Sequence, residues 1–302
     1  MLISIIIPTK NRNEILIESL ENAVNSIQGF DAEIIVVNDG VALSNVPVNK
    51  NITVLENAES GVSSARNKGA NAAKGLVLFF IDDDMNITTE SIEIILQIYK
   101  QNLLKNSYFN FNWIYPNRLL KTLKFEKIGR YLLYSDYHTL EGRMHKKINY
   151  SQLIDDANGV ASCAFCISKE NFIKINGYNE KILFQGEDID IAKRLQQNKI
   201  SSKVITQVTC YHNQKDRLEI DEYLDRIYRG YLSQAKAGML NKLSLRQQFV
   251  ALFIPFFSVL KFIYTTIPNR PFFDKVSFRC IGLLSSITSI KAINVVKRNK
   301  LK

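Results

Sequence analysis

The chain has 302 residues, 46% of them hydrophobic and 23% charged, and a chain of that length and apolar content buries a full core, which excludes a disordered or linker-like protein. Its formal net charge is +10, and the imbalance is local: residues 240–302 carry eleven Lys and Arg against one acid, Asp274, while residues 1–239 balance. Four scattered cysteines make no disulfide framework, and the start, Met1-Leu2-Ile3-Ser4-Ile5, lacks the regions of a secretory signal, so a cytosolic chain is expected.

Residues 2–9 form an apolar run closed by Pro8 and Thr9, which reads as a buried parallel strand. Leu16, Leu20, Val24 and Ile27 then recur at helical spacing, with Gly29 as a stop. Residues 33–38 are a second buried strand ending at Asp39-Gly40, and 52–55 a third, short one. Residues 63–73 read as a helix whose small residues allow close packing; 76–81 are a fourth strand that runs into Asp82-Asp83-Asp84; 88–102 are a further helix. This order predicts an α/β fold with a mainly parallel, Rossmann-like sheet flanked by helices. Ligands of such sheets bind beyond the carboxyl ends of the strands, where Pro8-Thr9, Asp39-Gly40 and Asp82–Asp84 all fall. Residues 108–152, aromatic, basic and poorly periodic, read as a long, partly helical cover over the site. A strand over 160–168, a turn at Gly177–Glu180, a helix over 188–197, a strand over 203–212 and a helix over 220–237 complete the body.

Three acids after a buried strand repel each other unless a cation neutralises them, and carboxylates with phosphate and water as co-ligands suit Mn²⁺ or Mg²⁺. The alternative for Asp82-Asp83-Asp84 is a solvated turn. Asp39 is either a turn former before Gly40 or an acceptor for a nucleotide base. Arg66 and Asn67 are an ordinary helix face or a cation and an amide beside a donor. Glu187 and Asp188 open a helix, where acids gain about 0.3–1 kcal/mol from the dipole, or one of them is a general base for a hydroxyl nucleophile. His212, at a strand end, is a structural residue or a metal ligand. Cys163 and Cys166 lie three apart in a strand pattern and face opposite sides, which argues against a zinc or redox pair.

In this order the motifs resemble the inverting glycosyltransferase family 2, of the GT-A fold. Ser4–Arg12 is similar to its opening strand; Val36–Gly40 resembles its second, with Asn38 where the first of two Asp usually stands. Gly61–Gly69 is similar to its small-residue helix, Phe80–Asp84 to its Asp-x-Asp metal motif, and Gly177–Glu180 with Gly186–Asp190 to its acceptor-side segment. The resemblance implies transfer of a sugar, with inversion, from a nucleotide-diphosphate-sugar donor to a glycan or lipid-linked acceptor, as in bacterial cell-surface polysaccharide synthesis. It places Pro8, Thr9, Asn11, Arg12, Asp39, Arg66, Asn67, Asp82 and Asp83 around the donor. It makes Asp84, Asp82 and His212 the metal ligands, and Asp188 the base, with Glu187 the second candidate. It implies halves over 1–107 for the nucleotide sugar and 108–239 for the acceptor, and leaves 240–302 without a family signature.

Other classes are a non-catalytic, membrane-bound sugar-nucleotide binder and a metal-dependent nucleotidyltransferase. The intact acids argue against the first. The second usually has a Gly-rich phosphate loop after its first strand, where this chain has Pro8-Thr9-Lys10-Asn11. In the tail, runs over 249–267 and 280–296 are flanked by Lys242 and Arg246, by Arg270, Lys275 and Arg279, and by Lys297 onward. Basic residues that interrupt apolar runs fit an anionic membrane surface better than nucleic acid. The expectation is two helices lying in the interface of the cytoplasmic face, against the alternative of a tail packed on the protein.

Overall fold

The computed structural model describes residues 1–214, 219–240 and 243–300, without the side chain of Lys300; Lys242 of the basic flank lies outside the described residues. The strands are β1 (Ile3–Thr9), β2 (Ala32–Asn38), β3 (Ile52–Glu56), β4 (Val77–Ile81), β5 (Met85–Asn86), β6 (Ser107–Ile114), β7 (Ile154–Asp156), β8 (Ala164–Ser168) and β9 (Ser201–His212). They form one sheet in the order β3-β2-β1-β4-β8-β6-β9-β5, with β7 on β9. β1 runs parallel to both β2 and β4, and β2 to β3. Every residue of β1, β2 and β4 is buried, which is why they read as apolar runs rather than alternations, the buried Ser4 and Glu33 satisfying each other at 2.7 Å. β8 enters antiparallel between β4 and β6, and β6 and β9 are again parallel, so the sheet is mixed in its second half.

The helices are α1 (Asn13–Ser26), α2 (Val62–Ala72), α3 (Thr89–Lys100), α4 (Asn117–Leu123), α5 (Lys127–Tyr134), α6 (Leu140–Met144), α7 (Lys169–Lys174), α8 (Glu187–Gln197), α9 (Ile220–Lys236), α10 (Leu245–Ala251), α11 (Phe257–Thr266) and α12 (Asp274–Lys300). The segment expected as a helical cover begins instead with a central strand, β6. Asn110 and Asn112 hide that strand from a hydropathy reading. In the fold, buried Asn110 donates to the carbonyls of Gly159 (3.0 Å) and Lys203 (3.1 Å) and accepts from the Ala161 amide (2.8 Å), so the amide is satisfied inside the sheet.

The chain divides into two compact units: Met1–Pro116, His138–Leu183 and Glu187–Asn213 in the first, and Asn117–Tyr137, Phe184–Gly186 and the described residues from Gln214 on in the second. The first holds the sheet. In the second, Ile128 of α5, Leu224 of α9, Tyr264 of α11 and Cys280, Ile281 and Leu284 of α12 share one apolar cluster. Arg130 binds both oxygens of Asp274 (2.9 and 3.0 Å), and Lys127 donates to the carbonyls of Tyr264 and Ile267 (2.7 and 2.9 Å), closing the end of α11. The stretch Pro271–Asn299 is long and apolar enough to cross a membrane, yet 56% of its apolar window is buried inside the protein. Its run over 280–296, expected in a lipid interface, packs within this unit. Its serines do not prevent that, because Ser285, Ser286 and Ser289 donate to the carbonyls of Ile281, Gly282 and Ser286 in the same helix.

Candidate active site

β1, β2 and β4 run parallel, so their carboxyl ends open on one edge and carry Thr9, Asp39 and Asp82–Asp84 there. Asp82 is one-third exposed, whereas Asp83 and Asp84 turn inward. β5 then pairs antiparallel with the end of β9, in a register that sets Met85 opposite His212. That ladder brings His212 Nε2 to 3.0 Å from Asp84 Oδ1, without hydrogen-bond geometry. Ligand atoms of Asp82, Asp84 and His212 all lie within 4.8 Å of one another. The imidazole is 4% exposed, stands edge-on to Trp113 and Tyr115 (centroids 4.9 and 5.8 Å), and neither of its nitrogens has a hydrogen-bond partner among the described residues. A buried imidazole with an unused nitrogen aimed at a carboxylate fits a divalent cation.

Two arginines pair with the acids. Arg12 bridges Asp83 and Asp84, the latter at 2.7 Å, and Thr9 Oγ1 donates to Asp83 at 2.7 Å. Burial, partly offset by Arg12, raises the Asp83 carboxyl above its ordinary range. Arg66, on α2, reaches Asp82 with one nitrogen (2.8 Å) and Glu187 with another (2.9 Å), its guanidinium 5.3 Å from the Tyr178 ring centroid. Burial opposes its charge, but Tyr178, Asp82 and Glu187 around it hold it protonated beyond its ordinary value.

Asp188 opens α8 beside Glu187 and accepts from both the amide and the hydroxyl of Ser162, which itself meets Tyr178 Oη at 2.7 Å. Burial, and then the Glu187 charge, push its carboxyl up to about 7. Glu187 is committed to Arg66 through one oxygen, while Asp188 accepts hydrogen bonds from the neutral amide and hydroxyl of Ser162. The arrangement therefore offers a proton acceptor beside the Arg66–Glu187 pair.

Asp39 accepts from Lys10 (2.9 Å), Asn57 (2.9 Å) and the Gly61 amide (3.2 Å). Gly61 has φ 131°, which favours glycine, and a Cβ on Gly40 would collide with the Asn11 side chain. Asn11, itself at φ 56°, accepts from the Val41 amide through that side chain. Pro8 sits inside β1 opposite Val37. Arg66, expected around the donor, pairs with Asp82 of that same set and also with Glu187. Asn67, expected beside the donor, is taken up by the Tyr178 backbone and Glu180 (2.8–2.9 Å), because a turn at Gly177 needs its amide to close. Sequence reasoning missed Lys10, Asn57, Ser162 and Trp113. Only Lys10 carried a signal, standing between Thr9 and Asn11 at a strand end.

A family model described as Glycosyl transferase family 2 matches residues 4–169, and one described as the N-terminal domain of galactosyltransferase matches residues 142–217. An uncharacterized glycosyltransferase EpsJ of Bacillus subtilis (strain 168) is 32% identical over 110 residues, 34% of this chain and 32% of the relative. An uncharacterized glycosyltransferase of Haemophilus influenzae is 34% identical over 122 residues, 38% of each chain. The matches thus span about a third of the length of these relatives. Among solved structures, S. aureus TarS aligns with 99% of this chain and 55% of its own at a TM-score of 0.51 and 14% identity. GalNAc-T7 with UDP, GalNAc and Mn²⁺ aligns with 82% of this chain and 53% of its own at a TM-score of 0.50 and 14% identity. Both share the fold.

Proposed function

The chain belongs to glycosyl transferase family 2, and from that premise we propose that it transfers a sugar, with inversion, from a nucleoside-diphosphate sugar to a hydroxyl of a glycan or lipid-linked acceptor. The observation that carries the reading is Arg66: one guanidinium touches both an acid of the candidate metal group, Asp82, and an acid of the candidate base pair, Glu187. Donor and acceptor chemistry are thereby within one side chain's reach.

In this reading Asp39, Lys10 and Asn57 line the place of the nucleotide base, and Asp82 stands at the ribose. Asp84, Asp82 and His212 would hold a divalent cation, Mn²⁺ or Mg²⁺, which when bound neutralises charge on the leaving diphosphate. Asp188 takes the acceptor's proton as the acceptor oxygen forms its bond to the anomeric carbon and the bond from that carbon to the diphosphate oxygen breaks. Ser162 orients the accepting carboxylate, and Arg66 keeps Glu187 from competing for the proton. The solved GalNAc-T7 contains UDP and Mn²⁺, which makes that pair the first to test.

We assign the protein to the cytoplasmic face of the cell membrane as a peripheral enzyme of polysaccharide synthesis, with no nucleic-acid partner. Support comes from a tail whose net charge equals that of the whole chain. The test is a screen of nucleoside-diphosphate sugars with Mn²⁺, read by nucleotide release and by thermal shift. Transfer at the wild-type rate in chelator, or in Asp84→Ala, would overturn the metal-dependent reading.

A further inference from the structure

We propose that the outer face of α10 and α11 docks on an anionic lipid bilayer, lying among the head groups and not crossing. The inference deepens the membrane assignment above and rests on it.

The first observation is an amphipathicity turned inside out. Phe257, Leu260, Tyr264 and Ile267 face the cluster shared with α5, α9 and α12. The opposite face should be polar in a helix that meets water. Instead Phe249, Leu252, Phe256, Val259 and Phe262 follow one another three or four residues apart and are 64%, 67%, 55%, 53% and 67% exposed. Phe272, in the turn after α11, is 89% exposed. An exposed apolar stripe of this length marks a surface that something covers.

Length decides between lying and crossing. The two arms, Leu245–Ala251 and Ile254–Thr266, are together apolar enough to cross a membrane but are bent by 51°. At about 1.5 Å per residue they measure roughly 10 and 20 Å, so each alone falls short of a hydrocarbon core of about 30 Å, and the bend keeps them from adding end to end. The inner face of α11 is moreover occupied by protein, so lipid can reach it from one side only.

Charge decides between a bilayer and a second copy of the chain. Arg246, Arg270, Lys275 and Arg279 are exposed along the same segment. The single acid of residues 240–302, Asp274, is taken by Arg130, and Lys261 by Asp221. Two copies meeting through this face would bring like charges together, whereas anionic head groups complement the basic rim and accept the aromatic stripe at the acyl boundary.

The experiment uses the full chain and vesicles of phosphatidylcholine with or without phosphatidylglycerol. Flotation is expected with the anionic vesicles at low salt and is lost at high salt. Replacing Arg246, Lys275 and Arg279 with Ser should weaken it by about 100-fold, taking roughly a fivefold loss for each surface cation. Phe249→Ser/Phe256→Ser/Phe262→Ser should abolish it with no change in melting temperature. In Phe256→Trp, brominated acyl chains should quench the new emission, while the one native tryptophan, Trp113, is 2% exposed and supplies a constant background. Absence of flotation at low salt, equal flotation of the triple-Phe variant, or attachment that survives high salt would each overturn the proposal. So would a dimer in sedimentation that the triple-Phe variant dissolves. Calorimetry of UDP with Mn²⁺ on the same proteins separates the two readings: retained binding without flotation removes only the docking surface, and flotation without nucleotide binding removes the transferase reading.

Discussion

Arg12 and Arg66 make three adjacent acids tolerable at the end of one strand, Arg12 by holding Asp83 and Asp84 and Arg66 by holding Asp82. His212 stands beside Asp84, and neither of its nitrogens has a hydrogen-bond partner among the described residues. Asp84→Ala should therefore abolish transfer and remove Mn²⁺ binding in calorimetry, while circular dichroism keeps the native spectrum. Asp188 carries a pH signature. Its carboxyl is raised to about 7, and only the ionised form accepts a proton, so the rate should climb as pH rises through about 7. Asp188→Asn should lower kcat by at least about 10²-fold and flatten that limb, with UDP affinity unchanged. If Glu187→Gln removes the limb and Asp188→Asn retains it, the two acids exchange roles. The Ser162 hydroxyl donates to the ionised form, so Ser162→Ala should move the midpoint upward in a kcat-against-pH profile.

α12 is buried along its middle, whereas α11 buries one face and leaves the other exposed. Leu284 of α12 is fully buried against the α5 and α9 cluster, so Leu284→Ala should cost about 2–5 kcal/mol in a urea melt. Phe262 of α11 is 67% exposed, so Phe262→Ala should stay within about 0.5 kcal/mol. Ending the chain at residue 240 would strip Ile128, Tyr131, Tyr223 and Leu224 of their cover. The expected product is less soluble than the full chain, measured by light scattering. A soluble, monomeric 1–240 fragment with an unchanged melting temperature would show that α12 is dispensable to its unit. β6 makes the same point in the sheet: its asparagines cost nothing there because each finds partners that arrive from elsewhere in the chain.

For the whole molecule, ligand binding should report on the sheet-bearing unit through linkage. UDP with Mn²⁺ at about 100 times its Kd should stabilise the folded state by roughly 2.7 kcal/mol, a shift that chelator reverses in a thermal melt. UDP and Mn²⁺ that leave the melt unmoved at such excess would count against the donor site. If the tail docks as proposed, the charge division, a balanced body and a basic tail, predicts that vesicle binding falls steeply with salt.

By itself the sequence determined the parallel core and the edge on which chemistry gathers. β1, β2 and β4 are apolar at nearly every position because both faces are covered, and the acids and turn formers that end them must emerge on one side when strands run parallel. It also determined where the charge lies. Tertiary structure decided what depends on distant partners. β6 was not legible, because Asn110 is acceptable in a strand only once Gly159, Ala161 and Lys203 surround it. The approach of His212 to Asp84 follows from the β5–β9 register, which local pattern does not encode. Arg66 and Asn67 sit one residue apart on α2 and look equivalent in the chain, yet one reaches the acids and the other closes a turn, since successive helical residues point in different directions. In the tail both faces of α11 carry apolar residues, so periodicity could not say which face meets protein; the cluster it shares with α5, α9 and α12 settled it by claiming Phe257, Leu260 and Tyr264.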